Sequence, residues 1–262
     1  SAHGYLLSEF LSPDINTRSD AWGGSLENRA RIHLEIIKRC RAEVGADFPI
    51  SVKLNSADFQ KGGFTANESI QVAKMLEDAS VDIIEISGGS YEQPKQIGAD
   101  DLSINPDRSE ERKESTIARE AYFLEYANNI RKAVSLPLMV TGGFRTREGI
   151  ENALQSNICQ MVGVGRPLCA DPYCIQKMMA GNLDTLPSFE KTLSLGPSIF
   201  SPSSPFTLIQ VINAFGAMAW FYQQIKHMSE GLMPNHKQKL FNAFRADMKA
   251  DKLAIKDYLD SH

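Results

Sequence analysis

After Ser25, apolar positions recur at helical spacing: Ala30, Leu34, Ile37 and Cys40 or Arg41 share a face, and Gly45 follows Val44. This predicts a helix capped by Ser25 and ended by Gly45, since a Ser hydroxyl satisfies free amides at a helix start and glycine leaves the helical conformation easily. A short apolar run at 50–54, interrupted by Lys53, reads as a strand. Thr65-Ala66-Asn67-Glu68 has capping-box spacing and opens a helix to about Ala79, which leads straight into a strand at 81–86. The alternation continues with a helix over about 116–134, a strand at 137–141, a helix at about 147–155 and a strand at 158–164. Four short apolar strands separated by amphipathic helices predict an α/β fold with a parallel sheet and right-handed crossovers.

Two segments depart from that rhythm. The polar stretch from Gly88 to Ser115, with its charged run from Asp107 to Lys113, predicts a mobile, solvated loop over a site. From 193 onward there are two helical patterns separated by 231–234, so residues 193–262 form a helical extension and 1–192 the α/β domain. The aromatic residues of the extension (Phe200, Phe206, Phe215, Trp220, Phe221 and Tyr222) are read first as packing residues, with covering an end of the domain, crossing a subunit interface or contacting a ligand as alternatives. Within its most apolar run, 206–222, Thr207, Gln210, Asn213 and Gly216 argue for a packed helix rather than a membrane span.

Composition narrows the possibilities. An apolar fraction of 42%, a charged fraction of 23% and a net charge of −4 describe an ordinary globular chain and offer no basic patch for nucleic acid. Cys40, Cys159, Cys169 and Cys174 lack the paired spacing of a zinc site and fit reduced thiols in a cytoplasmic protein. The sequon Asn67-Glu68-Ser69 falls in the first turn of a helix and is given no role.

Candidate chemistry lies at the strand ends. Gly142-Gly143 and Gly163-x-Gly165-Arg166 follow consecutive strands. Glycine turns there let backbone amides approach an anion, and Arg166 can pair with it bidentately, a combination that specifies a phosphate without specifying which ligand carries it. Lys53 is a cation in an otherwise apolar strand and needs a reason to be there: it snorkels out, pairs with Glu85, or faces a ligand. Asn55 and Asp58 border the same place without an assigned role.

The opening residues supply a family. His3-Gly4-Tyr5, followed by Leu11-Ser12-Pro13, Asn16, Arg18, Asp20 and Gly23-Gly24-Ser25-Leu26-Glu27-Asn28-Arg29, resemble the middle of the Old Yellow Enzyme / NADH:flavin oxidoreductase family, whose His-x-x-His-Gly-Tyr motif ends barrel strand four. The first His of that motif would precede Ser1. The resemblance implies a partial (βα)8 TIM barrel, strands five to eight with their helices, followed by the extension. It implies FMN as cofactor with NAD(P)H as reductant, Tyr5 as proton donor and His3 as part of a clamp on a substrate carbonyl. It also places Lys53 at the flavin N1/O2 edge, and Gly142, Gly143, Gly163, Gly165 and Arg166 around the FMN phosphate.

The expected activity is therefore reduction of an activated alkene, an α,β-unsaturated carbonyl or quinone-like acceptor, with no nucleic-acid or membrane partner. The open sheet edges predict self-association or pairing with an N-terminal half barrel. Two other readings stand beside this one: a non-catalytic half-barrel interaction module, and a phosphate-binding lyase or aldolase. The Tyr5 block and the lack of an obvious Schiff-base lysine argue against the lyase or aldolase.

Overall fold

The computed structural model describes residues 1–87 and 124–261. The expected loop from Gly88 to Ser115 and the start of the helix expected from 116 lie outside these residues. The chain divides into two compact units, Ser1–Val164 and Gly165–His262.

In the first unit the order is α1 (Leu6–Leu11), α2 (Leu26–Val44), β1 (Ser51–Asn55), α3 (Ala66–Asp78), β2 (Ile83–Ser87), α4 (Leu124–Arg131), β3 (Leu138–Thr141), α5 (Arg147–Gln155) and β4 (Met161–Gly163). The strands form a parallel sheet in sequence order. Side chains alternate across it, and this alternation separates packing from chemistry. Val52, Leu54, Ile84, Ile86, Leu138, Val140 and Val162 join Ala30 and Ile37 of α2, Val72, Ala73 and Leu76 of α3, and Ala127 and Ile130 of α4 in one apolar core. The opposite face carries Lys53, Asn55, Glu85, Ser87, Met139, Thr141, Met161 and Gly163, with Lys53 beside Glu85, Asn55 beside Ser87 and Thr141 beside Gly163.

The predicted caps are present. Ser25 Oγ accepts the Asn28 N–H, Gly45 ends α2 at φ 83°, and Thr65 and Glu68 complete the capping box of α3. β4 is shorter than the strand expected at 158–164, because Ile158 and Cys159 pack into the core from the connection that precedes it. At the amino ends of β1 and β2, Arg41 gathers the carbonyls of Gly45 (3.0 Å), Ala46 (3.2 Å), Phe48 (2.6 Å) and Ser80 (2.8 Å). It also pairs with Asp82 at 2.6 Å, and Asp82 in turn accepts the Ile50 N–H at 2.7 Å.

The second unit contains α6 (Arg166–Ala170), α7 (Cys174–Met179), α8 (Thr207–Ser229) and α9 (Leu240–Ser261). It begins earlier than the boundary expected after residue 192, because Ala170 and Phe189 already pack with Ala219, Trp220 and Ala243. Trp220 donates to the Gln238 carbonyl at 3.0 Å and stacks with Phe189. α8 and α9 approach so closely that a Cβ on Gly216 would lie 2.3 Å from Leu240 Cδ2. The aromatic set divides: Trp220 and Phe221 are buried, whereas Phe200, Phe206, Phe215 and Tyr222 are exposed, contrary to the packing role expected for them. They lie outside the small core that α6, α8 and α9 enclose. Among the described residues no helix is long and apolar enough to cross a membrane.

His33, buried on α2, is sensitive to acid, since burial pushes its pKa down to about 4 from 6.5. The unfolded chain takes up this proton more readily than the folded one. The stabilisation from a neutral His33 is thus complete above about pH 6.5 and lost as pH falls toward 4, amounting to on the order of 3 kcal/mol. Chemical denaturation of the His33→Leu variant and the parent at pH 7 and pH 4.5 should show a markedly shallower loss of stability in the variant.

Candidate active site at the carboxyl ends of the strands

His3, Gly4 and Tyr5 form a tight turn beside the end of β1. His3 and Gly4 both have positive φ, 64° and 76°, and the Tyr5 N–H returns to the Ala2 carbonyl at 3.4 Å. Two bonds fasten this turn to the sheet: Asn55 N–H donates to the Ser1 carbonyl at 3.2 Å, and His3 N–H donates to Asn55 Oδ1 at 3.2 Å. The His3 ring reaches the next strand, with Nε2 3.1 Å from Ser87 Oγ. Tyr5 then caps α1, its carbonyl accepting from Glu9 N–H and Ser8 Oγ, and its side chain is 61% exposed.

Behind the turn lies Asp58, buried, accepting Asn55 Nδ2 on Oδ1 at 3.0 Å and the Phe64 N–H on Oδ2 at 2.9 Å. Burial pushes its carboxyl above the ordinary range, against the pull of these donors.

The turn is anchored from its far side by the long motif that follows it. Asn16 Nδ2 donates to the Phe10 and Trp22 carbonyls, each at 2.8 Å, and Asn28 Nδ2 donates to the Gly23 carbonyl at 3.1 Å. A side chain at Gly23 would meet the Arg18 carbonyl at 2.3 Å, so only glycine fits. Arg29, buried, donates to the carbonyls of Leu11 and Gly24 and pairs with Glu68 of the capping box.

Lys53 Nζ lies 2.8 Å from Glu85 Oε1, its cross-strand neighbour. Of the explanations open for a cation in this strand, pairing with Glu85 is the one the structure displays. Any ligand above this row would meet the field of a pair rather than of a lone ammonium.

At the other side of the sheet, Gly142 and Gly143 leave β3 at φ 125° and 81°, conformations that favour glycine. Gly163 is required sterically: a Cβ there would lie 1.8 Å from Thr141 Oγ1 and 2.8 Å from Thr141 Cβ. Thr141 Oγ1 is itself buried and, among the described residues, has no hydrogen-bond partner. An unsatisfied hydroxyl beside glycine backbone suits a ligand that brings its own polar atoms close to the main chain, as a phosphate-bearing cofactor does. The first turn of α5 is already served by Thr146 Oγ1, which accepts the Gly149 N–H at 3.1 Å. Gly165 and Arg166 open α6 and belong to the second unit.

His3, Lys53, Gly142, Gly143 and Gly163 are therefore predicted residues carried by one sheet and its strand ends. Ser87, Glu85 and Thr141 were not singled out as site residues, although each occupies an alternate position on a strand already recognised.

The sequence model of the NADH:flavin oxidoreductase / NADH oxidase family matches residues 1–184. The chain belongs to this family. A NADH-dependent flavin oxidoreductase, iliE, of Neonectria sp. is 38% identical over 202 residues, 76% of this chain and 24% of that protein. A NADH oxidase of Thermoanaerobacter brockii is 38% identical over 180 residues, 69% of this chain and 25% of its own length. Among solved structures, a 2-naphthoyl-CoA reductase in complex with 2-naphthoyl-CoA aligns with a TM-score of 0.59 at 34% identity, covering 70% of this chain and 26% of that one. The chain thus spans about a quarter of the length of these relatives.

Replacing Gly163 by Ala should cost about 1–3 kcal/mol in denaturant titrations through overpacking against Thr141. Adding Thr141→Gly should recover much of that loss, which a clash elsewhere would not allow.

Proposed function

We propose that this chain provides strands five to eight of a flavin-binding (βα)8 barrel, takes FMN with NAD(P)H as reductant, and reduces an activated alkene such as an α,β-unsaturated carbonyl or a quinone-like acceptor. The observation that carries this reading is the sheet face itself. His3, held between Asn55 and Ser87, stands at the same strand ends as the glycine turns after β3 and β4, with the Lys53–Glu85 pair one row below. Family membership and the names of the relatives support a flavin and NADH. The bound 2-naphthoyl-CoA of one structural neighbour is a carbonyl conjugated to unsaturated carbons, the substrate class expected of a carbonyl clamp.

In this reading Gly142, Gly143 and Gly163 give main-chain access to the FMN phosphate, and Thr141 offers it a hydroxyl. Lys53, tempered by Glu85, supplies positive charge at the N1/O2 edge of the ring. When bound, FMN supplies hydride transfer from the nicotinamide to the carbon β to the carbonyl. His3 donates a hydrogen bond to the carbonyl oxygen, and Tyr5 gives a proton to the α carbon, so hydride and proton together saturate the double bond. Edges of the sheet are covered by a second copy or by an N-terminal half barrel. The four cysteines are free thiols, in keeping with a cytoplasmic setting.

Titration of the purified chain with FMN, followed by flavin absorbance and fluorescence, should show saturable binding that Gly163→Ala weakens at least tenfold. With NADH and an enone, Tyr5→Phe should slow product formation by about a hundredfold or more while NADH-driven flavin bleaching persists. A folded chain that takes no FMN, alone or fused behind the upstream half barrel of a relative, would sink the proposal.

A further inference from the structure

We infer that the exposed stripe of α8 is an interface between two copies of this chain, in which the two α8 helices pack antiparallel about a two-fold axis beside Gly216 and Ala217. Leu208, Val211, Phe215, Met218, Tyr222 and Ile225 recur at alternating spacings of three and four along α8, the 3.5-residue period that keeps one seam of a helix against a partner helix. Five of the six are exposed, from 37% for Met218 to 69% for Leu208. The core of their own unit lies on the opposite side of the helix, where Asn213, Gly216, Trp220 and Gln224 are buried. A helix that is apolar around most of its circumference is buried around most of it, and here one side of α8 is covered and the other is not.

The order of side chains within the stripe points to a second copy as its occupant. Laid antiparallel about that axis, Leu208 meets Ile225 of the second copy, Val211 meets Tyr222, and Phe215 meets Met218. Each aromatic ring then faces an aliphatic chain, so every layer has a similar width and the two helices can stay in contact along the whole seam. Parallel pairing would set Phe215 against Phe215 and Tyr222 against Tyr222, with a narrow layer of two Val211 side chains among them. Charge agrees with the antiparallel arrangement. α8 has no acidic residue, and its basic groups, Lys226 and His227, stand in the last turn. Antiparallel helices hold the two sets at opposite ends and set their dipoles head to tail, whereas parallel helices would gather all four groups together. Beside the stripe, Ile212, Ala214, Ala219 and Phe221 carry no charge that would select a foreign helix or repel a second copy.

Analytical ultracentrifugation of the full chain over micromolar concentrations reads the pairing. The parent should be dimeric. Phe215→Glu and Met218→Lys, both at exposed positions, should each weaken dimerisation about tenfold or more with unchanged circular dichroism. Because Phe215 faces Met218 of the second copy, an equimolar mixture of the two variants should dimerise again, with Glu against Lys in one layer and the native Phe and Met in its twin. Should either variant not fold, Tyr222→Glu mixed with Val211→Lys repeats the exchange one layer outward. A folded parent that stays monomeric overturns the proposal and leaves the stripe to an N-terminal half barrel or another protein. A dimer indifferent to Phe215→Glu also overturns it, since the contact then lies elsewhere, as at the sheet edges. Variants that weaken the dimer but do not recover on mixing overturn the antiparallel pairing. Flavin and turnover enter none of these readouts, so the flavin reading stands or falls separately.

Discussion

The Arg29 guanidinium, almost wholly withdrawn from water, joins three segments that would otherwise meet only through apolar contacts: the end of α1 at Leu11, the turn at Gly24 and the capping box of α3 at Glu68. A buried cation is costly unless it is paired, and here two carbonyls and a carboxylate each take a hydrogen bond from a different nitrogen of the guanidinium. Because Tyr5 caps α1, this junction also supports the His3–Tyr5 turn that Asn55 fastens to β1. The site's geometry thus depends on a residue that takes no part in its proposed chemistry.

The same contrast runs through the sheet. Even-numbered residues of the strands build the core with α2, α3 and α4, and odd-numbered ones build a polar face that ends in His3, Ser87 and Thr141. The two rows are constrained differently: the even row by apolar packing, the odd row by specific contacts such as Gly163 against Thr141 and Asn55 against His3 and Asp58.

Much of this was readable from local chemistry. The Ser25 cap, the Thr65–Glu68 capping box and the helix at 147–155 follow from residues within a few positions of each other, and local rules describe them well. The motif from Asn16 to Arg29 was recognised as a family signature, but its residues bind the chain's own carbonyls, so a signature of function proves to be mainly a device of architecture. What local reading missed is non-local. His3 and Ser87 are 84 positions apart, and only the β1–β2 register brings them together. Lys53 was legible as an anomaly, and Glu85 as one of several possible answers, because both stand in strands whose pairing the sequence does not spell out. The core packing favoured for the aromatics of α8 fails at Phe215 and Tyr222, because periodicity shows that a residue is apolar, not whether a neighbour covers it.

The Arg41 clasp lies at the end of the sheet away from His3, where one side chain ties together the chain before β1, the turn before β2 and Asp82. The clasp thus sits at the amino ends of the strands and the candidate site residues at their carboxyl ends. An engineer could treat the first as a chassis and the second as a workbench, altering the loops beyond the strand ends while the foundations of the sheet, a full strand length away, stay closed.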